Sequence, residues 1–157
     1  MTESEFNQRQ AVLTEAVSWL RTPFHHRACV KGAGVDCIHF IYASFRETGL
    51  VPEIEFEEYP LDWHVHRDEE RILKWILKFA RPVEPPYKPG DVAMWRFGRC
   101  LSHVAIVVEW PTIIHAFSGS SRVTYDDAEM NNQLIYAGRT QKASKRVREV
   151  FRYHAWE

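Results

Sequence analysis

Residues 31–40 read KGAGVDCIHF, and what the chain can be turns on the thiol near their middle. Two glycines, an acid, a cysteine and a histidine fall just where an apolar run begins, with Ile38, Ile41, Tyr42 and Phe45 at helical spacing. That spacing predicts a helix that starts at about Cys37 and stops at Gly49, since glycine suits the left-handed residue past a helix end. A cysteine at such a start lies beside unpaired backbone N–H groups and the positive end of the helix dipole. The setting favours thiolate, the reactive form. Gly32 and Gly34 free the preceding backbone and leave room around the sulfur. A lone cysteine can equally be a small buried hydrophobe, so the rest of the chain must choose between filler, metal ligand and nucleophile.

Upstream, Thr2-x-x-Glu5 has the form of a capping box, and Phe6, Val12, Leu13, Ala16, Val17 and Leu20 follow at helical spacing. A first helix is expected over about 4–21, ending before Thr22-Pro23 because the residue ahead of proline avoids the helical region. Residues 22–36 read as a loop. Downstream, VPEIEFEEYPLDWH has no clear period, and Asp68 to Phe79 reads as a third helix. Its stripe is Ile72, Trp75, Ile76 and Phe79, with Glu70 and Lys74 as a supporting pair. ARPVEPPYKPGD, with four prolines before Gly90, is an extended connector that can be neither a helix nor a central strand.

Beyond it, DVAMWRF, SHVAIVVE, TIIHAF and REVFRYH are short, β-branched or aromatic, and separated by turn residues. Helices first and an antiparallel sheet second is the α+β class. At 157 residues the chain suits one domain over 1–157. A net charge of −1 provides no field for nucleic acid or a membrane surface, and the basic stretch Lys142 to Arg152 reads as a solvated face. MTESEFNQRQ has no apolar core of a secretory signal, so synthesis in the cytoplasm is expected. RILKWILKFA is broken by Lys74 and Lys78 and is too short for a transmembrane segment. Three cysteines, Cys29, Cys37 and Cys100, are an odd set for a disulfide framework.

A nucleophilic thiol needs a base, and the strands offer His103 and His115. A three-residue turn, Glu109-Trp110-Pro111, would pair Val108 with Thr112 and Ala105 with His115. His103 would then be a diagonal neighbour of His115 on one face. A two-residue turn would put the two on opposite faces. On one face, one imidazole could take the thiol proton and the other orient it. Each histidine alone also reads as a satisfied core or surface residue. A zinc-binding module is the alternative from another class, drawing on His25, His26, Cys29, Cys37, Cys100 and His103, but the set, with one C-x2-H pair (Cys100 to His103) and one C-x7-C pair, is irregular beside the compact pairs such as C-x2-C that structural zinc favours.

TPFHHRACVKGAGVDCIHF, KPGDVAMWRFGRCLSHVAIVVE and IIHAF together resemble the NlpC/p60 cysteine peptidases, in particular the short form of phage and prophage tail modules. YPLDWH at 59–64 resembles the aromatic-and-acid segment of those phage proteins, whereas the stretch after residue 126 matches nothing in the family. The resemblance implies a papain-like α+β fold with N-terminal helices packed on an antiparallel sheet. It implies Cys37 as nucleophile, His103 as base and later acid, and His115 as the polar third member. Asp36 would hold the free amino group of the substrate, with Phe24 and Ser102 beside it. The substrate would be the peptide stem of bacterial peptidoglycan, with no cofactor or metal. Partners would be phage tail proteins, and delivery to the wall would be in a phage particle or after lysis. Two departures stand out. Phe24 replaces a tyrosine credited with a role at the reacting carbonyl, and Ile38-His39 replaces Ser-Gly. A catalytically silent tail protein and an acyl-transferring enzyme are therefore kept as alternatives.

Overall fold

Thr2 does what its spacing implies. In the computed structural model, which describes residues 1–56, 70–138 and 144–157, Thr2 Oγ1 accepts from the Glu5 N–H at 3.1 Å and opens α1 (Glu3–Ser18). The helix ends earlier than expected, with Trp19 as its cap and Arg21 in the left-handed region. Its buried face also differs. Phe6 and Val17 are exposed, while Glu5 and Arg9 are buried alongside Val12 and Ala16.

The charged pair is buried because it has partners far along the chain. Arg9 reaches Glu5 at 2.8 Å and Asp91 at 3.1 Å, and Asp91 also takes Arg152. Gly90 holds the preceding backbone at φ +87°, and a Cβ there would sit 3.0 Å from the Trp156 ring. The Gly-Asp dipeptide is thus structural, a tight turn followed by a buried ionic hub.

Residues 22–36 are not the open loop expected. They contain a small hairpin, β1 (Cys29–Val30) and β2 (Gly34–Val35). Gly34 is required by close packing, since a Cβ there would lie 2.8 Å from His25 Cβ. From β2 the chain enters α2 (Cys37–Arg46), and Gly49 follows at φ +75°, as expected. Phe40, Ile41, Ala43 and Phe45 are buried on its inner face.

The third helix is described as α3 (Arg71–Phe79); Asp68 and the segment 59–64 lie outside the described residues. Glu70 is used away from its own helix, pairing with Arg96 at 3.0 Å and accepting from the Leu101 N–H at 2.8 Å. The proline-rich connector begins as β3 (Ala80–Pro82), an edge strand, the place a sheet tolerates proline.

The sheet continues with β4 (Val92–Phe97), β5 (Cys100–Glu109), β6 (Thr112–Phe117), β7 (Arg122–Asp127) and β8 (Arg148–Tyr153). A four-residue helix, α4 (Asn132–Ile135), lies between the last two. Strand order is β3-β8-β4-β5-β6-β7, antiparallel throughout. The fold class is α+β, as the sequence indicates. Val92, Met94, Val104, Ile106 and Ile114 face the helices, and Ala93, Trp95, Ala105, Val107 and Ile113 form a second core on the other face. In the described part of the basic segment near the C-terminus, Lys145 and Arg148 are exposed, as a solvated face would have them, but the face is also used for packing. Arg146 lies over the Phe97 ring, Arg148 over Trp110, and Arg152 is buried. Among the described residues no helix is long and apolar enough to cross a membrane.

Candidate active site

Cys37 is the first residue of α2, and Asp36 caps that helix. The Asp36 carboxylate faces inward: Oδ1 takes the His39 N–H at 2.9 Å and His39 Nδ1 at 2.8 Å, and Oδ2 takes the Arg27 N–H at 2.9 Å. His39 is thereby folded back onto the cap, with its ring 4.9 Å from that of Phe56. Phe24 bridges Val35 on one side, and its N–H donates to the Ser121 carbonyl at 2.8 Å. The stretch around residues 22–25 thus ties the hairpin before Cys37 to the loop before β7.

The histidines meet. His103 Nε2 and His115 Nδ1 are 2.9 Å apart, both rings buried among Trp95, Phe97 and Phe117. The expected face is right, but the turn that produces it is not. Ile106 pairs with Ile114 and Val107 with Ile113, as a three-residue turn would give, and then the register slips so that Glu109 pairs with Thr112. The turn is two residues, Trp110-Pro111, and a bulge at Val108 restores the alternation that a two-residue turn would have reversed.

The thiol is the part that differs. A second irregularity, at Ser102, lies between the pairs Trp95–His103 and Arg96–Leu101. Cys37 Sγ approaches here, 3.7 Å from the Ser102 carbonyl and within hydrogen-bonding influence of the Val104 N–H. It therefore contacts the peptide groups flanking His103, and among the described residues no hydrogen bond joins it to either imidazole. Strand alternation explains this: Val104 points to the helix side, so the His103 ring leaves on the opposite side. Ser102 contributes its carbonyl, while its hydroxyl turns to the Phe97 carbonyl at 3.3 Å.

Electrostatics also correct the expectation of a depressed thiol. Burial, followed by the Asp36 charge, pushes Cys37 up to about 12, although the N–H groups of Val104, Ile38 and Cys37 itself pull it down. The helix start is real, but desolvation outweighs it. Burial, then the charge of His115, holds His103 well below the ordinary imidazole range, with Arg146 acting in the same direction and Asp126 opposing. Both groups are neutral near pH 7.

Asp126 escaped the sequence reading. Its Oδ2 stands 3.2 Å from His115 Nε2. The signal was the alternation of RVTYDD after a turn-rich SGSS, which predicts one more strand beside the histidine-bearing one. Of the cations flanking the motif segments, Lys31 is paired with Glu15 and Arg96 with Glu70. The residues of the zinc alternative are not gathered: among the described residues no three His, Cys, Asp or Glu side chains could hold a metal ion.

No protein-family model matches the chain, and no curated protein sequence matches it. Solved structures do. The peptidoglycan hydrolase RipB of Mycobacterium tuberculosis superposes with a TM-score of 0.58 at 16% identity, over 97% of this chain and 68% of that one. RipD of the same organism, a non-catalytic NlpC/p60 domain protein adapted to peptidoglycan binding, gives 0.55 at 14%, over 92% and 96%. NlpC1 of Trichomonas vaginalis gives 0.55 at 16% over 80% of this chain, which spans only 40% of its length. At these identities the likeness is one of fold, and it is consistent: an antiparallel sheet carrying two histidines, with a cysteine-headed helix packed on it, has the papain-like fold of NlpC/p60 domains.

Proposed function

We propose that the chain is a cysteine hydrolase of the NlpC/p60 kind, cutting peptide bonds in the stems of bacterial cell-wall peptidoglycan. The observation that carries the reading is the convergence of a helix-heading thiol with the backbone around His103, whose ring is backed by His115 at 2.9 Å. In the reaction, Cys37 passes its proton to His103 as the sulfur attacks the scissile carbonyl. The carbonyl oxygen gains charge and takes hydrogen bonds from backbone N–H groups at the helix start, since Phe24 has no hydroxyl to donate. His103 then protonates the departing amine, leaving a thioester on Cys37. Water, deprotonated by His103, releases the acyl group and the thiol. The thiol must first turn from the Ser102 carbonyl toward the His103 ring, and catalytic hydrogen bonds are often loose before substrate binds. Asp36, through the cap it forms, and Phe24 and Ser102, at the entrance, would line the substrate. Phage tail proteins as partners, with release at the wall from a particle or on lysis, follow from the sequence resemblance.

A second reading, a silent stem-peptide binder, is favoured by the neutral thiol that lacks an imidazole partner. Mass spectrometry of defined stem peptides, incubated with the wild type and with Cys37→Ala, separates the two. New fragments with the wild type alone support hydrolysis. Intact peptides that still bind, measured by calorimetry, support the silent reading.

A further inference from the structure

Asp126 stands beside His115, at the far end of a row that runs from His103 through His115 to the carboxylate. His115 Nε2 is buried with no well-aligned hydrogen bond among the described residues, and Asp126 Oδ2 lies 3.2 Å from it. The carboxylate itself is held firmly. Asn131 Nδ2 donates to Oδ2 at 2.6 Å, and the Asp127 N–H donates to Oδ1 at 2.8 Å. Asn131 is in turn fixed as the N-cap of α4, accepting from Gln133 and Leu134, with Leu134 buried in the second core. Residues 126–134 thus form a hydrogen-bonded mount for one carboxylate.

Proton bookkeeping gives that carboxylate a task. A carboxylate only accepts, so facing it His115 carries its proton on Nε2 and leaves Nδ1 as an acceptor. His103 must then donate from Nε2 to His115 Nδ1, which leaves its own Nδ1 without a proton. That nitrogen has no hydrogen-bond partner among the described residues. Reversing the order would put the proton on His103 Nδ1 and remove its capacity as a base. We propose that Asp126 is a positioning residue that sets the tautomers of both histidines, so that His103 keeps an unprotonated Nδ1 for a thiol that turns toward it. Its catalytic consequence rests on the hydrolase reading; the tautomers themselves do not.

The test is long-range nitrogen–proton NMR of the imidazoles in the full chain from pH 6 to 8, a range in which Arg146 and Asp126, the charged groups facing the pair, keep their charges. Wild type should show protonated Nε2 and bare Nδ1 on both rings. Asp126→Asn can present an N–H to His115 and should yield the reversed or a mixed pattern, with Asp126→Glu restoring the original. Reversed tautomers in the wild type overturn the proposal without any variant, and so does an unchanged pattern in a folded Asp126→Asn. If the chain turns over stem peptides, Asp126→Asn should lower kcat about 10²- to 10⁴-fold with KM little changed, the range seen when a base or its orienting acid is lost. Absent turnover with the expected tautomers would sink the hydrolase reading and leave this one standing.

Discussion

Arg152 grips Asp91 at two points, Nε to Oδ1 at 3.0 Å and Nη2 to Oδ2 at 2.8 Å, with the carboxylate wholly buried. Arg9 joins from α1 and the Lys88 N–H from the chain just before, so one acid ties the first helix to the β4 entry and to β8. Removing one member of such a group strands the remaining charges out of water. Asp91→Asn should therefore cost about 3–5 kcal/mol, read as a lowered midpoint in urea unfolding. Arg152→Lys should also lose stability, because an ammonium cannot reproduce the two-point grip. An unchanged midpoint for Asp91→Asn would remove the hub from the account.

The thiols should label in an order that the helix dipole alone would not give. With a pKa of about 12, Cys37 is thiolate in only about one molecule in 10⁵ at pH 7. Cys29 is exposed and Cys100 buried. Brief iodoacetamide treatment of the unliganded protein should modify Cys29 first, with Cys37 slow at pH 7 and faster as pH rises. Rapid labelling of Cys37 below pH 7, followed by peptide mass spectrometry, would show instead that the thiol is paired and charged at rest.

His103→Ala should lower turnover of a stem peptide by about 10²- to 10⁴-fold, the usual cost of losing a general base. His115→Asn should retain more activity than His115→Ala, because an amide can still accept from His103 Nε2. Steady-state kinetics of the three variants decide it, and equal losses for the two His115 variants would deny His115 an orienting role.

Stability should respond to acid through His103. Unfolded, its imidazole takes a proton near pH 6.5; folded, it resists until well below that value. Between those two values the unfolded chain holds more protons, so stability falls as pH drops below about 6.5. His103→Gln should flatten that part of the curve. Asp126 acts in a lower window, since its folded carboxyl is held down; its stabilisation is present above the ordinary carboxyl range and fades as pH falls through it. Urea midpoints from about pH 2 to 8 for wild type and variant measure both.

Much of this was readable from local pattern. Asp36-Cys37 before an apolar helical stripe marks a capped helix start, and alternation in β5 and β6 puts His103 and His115 together. Even the mistaken turn length did no harm, because the bulge at Val108 restored the parity. What could not be read depends on distance along the chain or on burial. Glu5 and Arg9 look like solvated helix charges until Asp91, 82 residues beyond Arg9, comes to meet them. Asp126 has no meaning until β7 lies beside β6. The Cys37 pKa reverses because the dipole at a helix start is a matter of local sequence, whereas the depth at which the sulfur sits is set by the whole fold.

The position of β8 bears on how the protein is made. It pairs with β3 on one side and β4 on the other, yet it is the last of the described strands to leave the ribosome. Until residues 148–153 emerge, Val92–Phe97 keeps an open hydrogen-bonding edge, and Asp91 waits without Arg152. Helices and the β4–β5–β6–β7 meander can assemble during translation, but the sheet cannot close. The nascent chain passes through a stage with an unprotected strand edge, the kind of surface on which chains pair with one another.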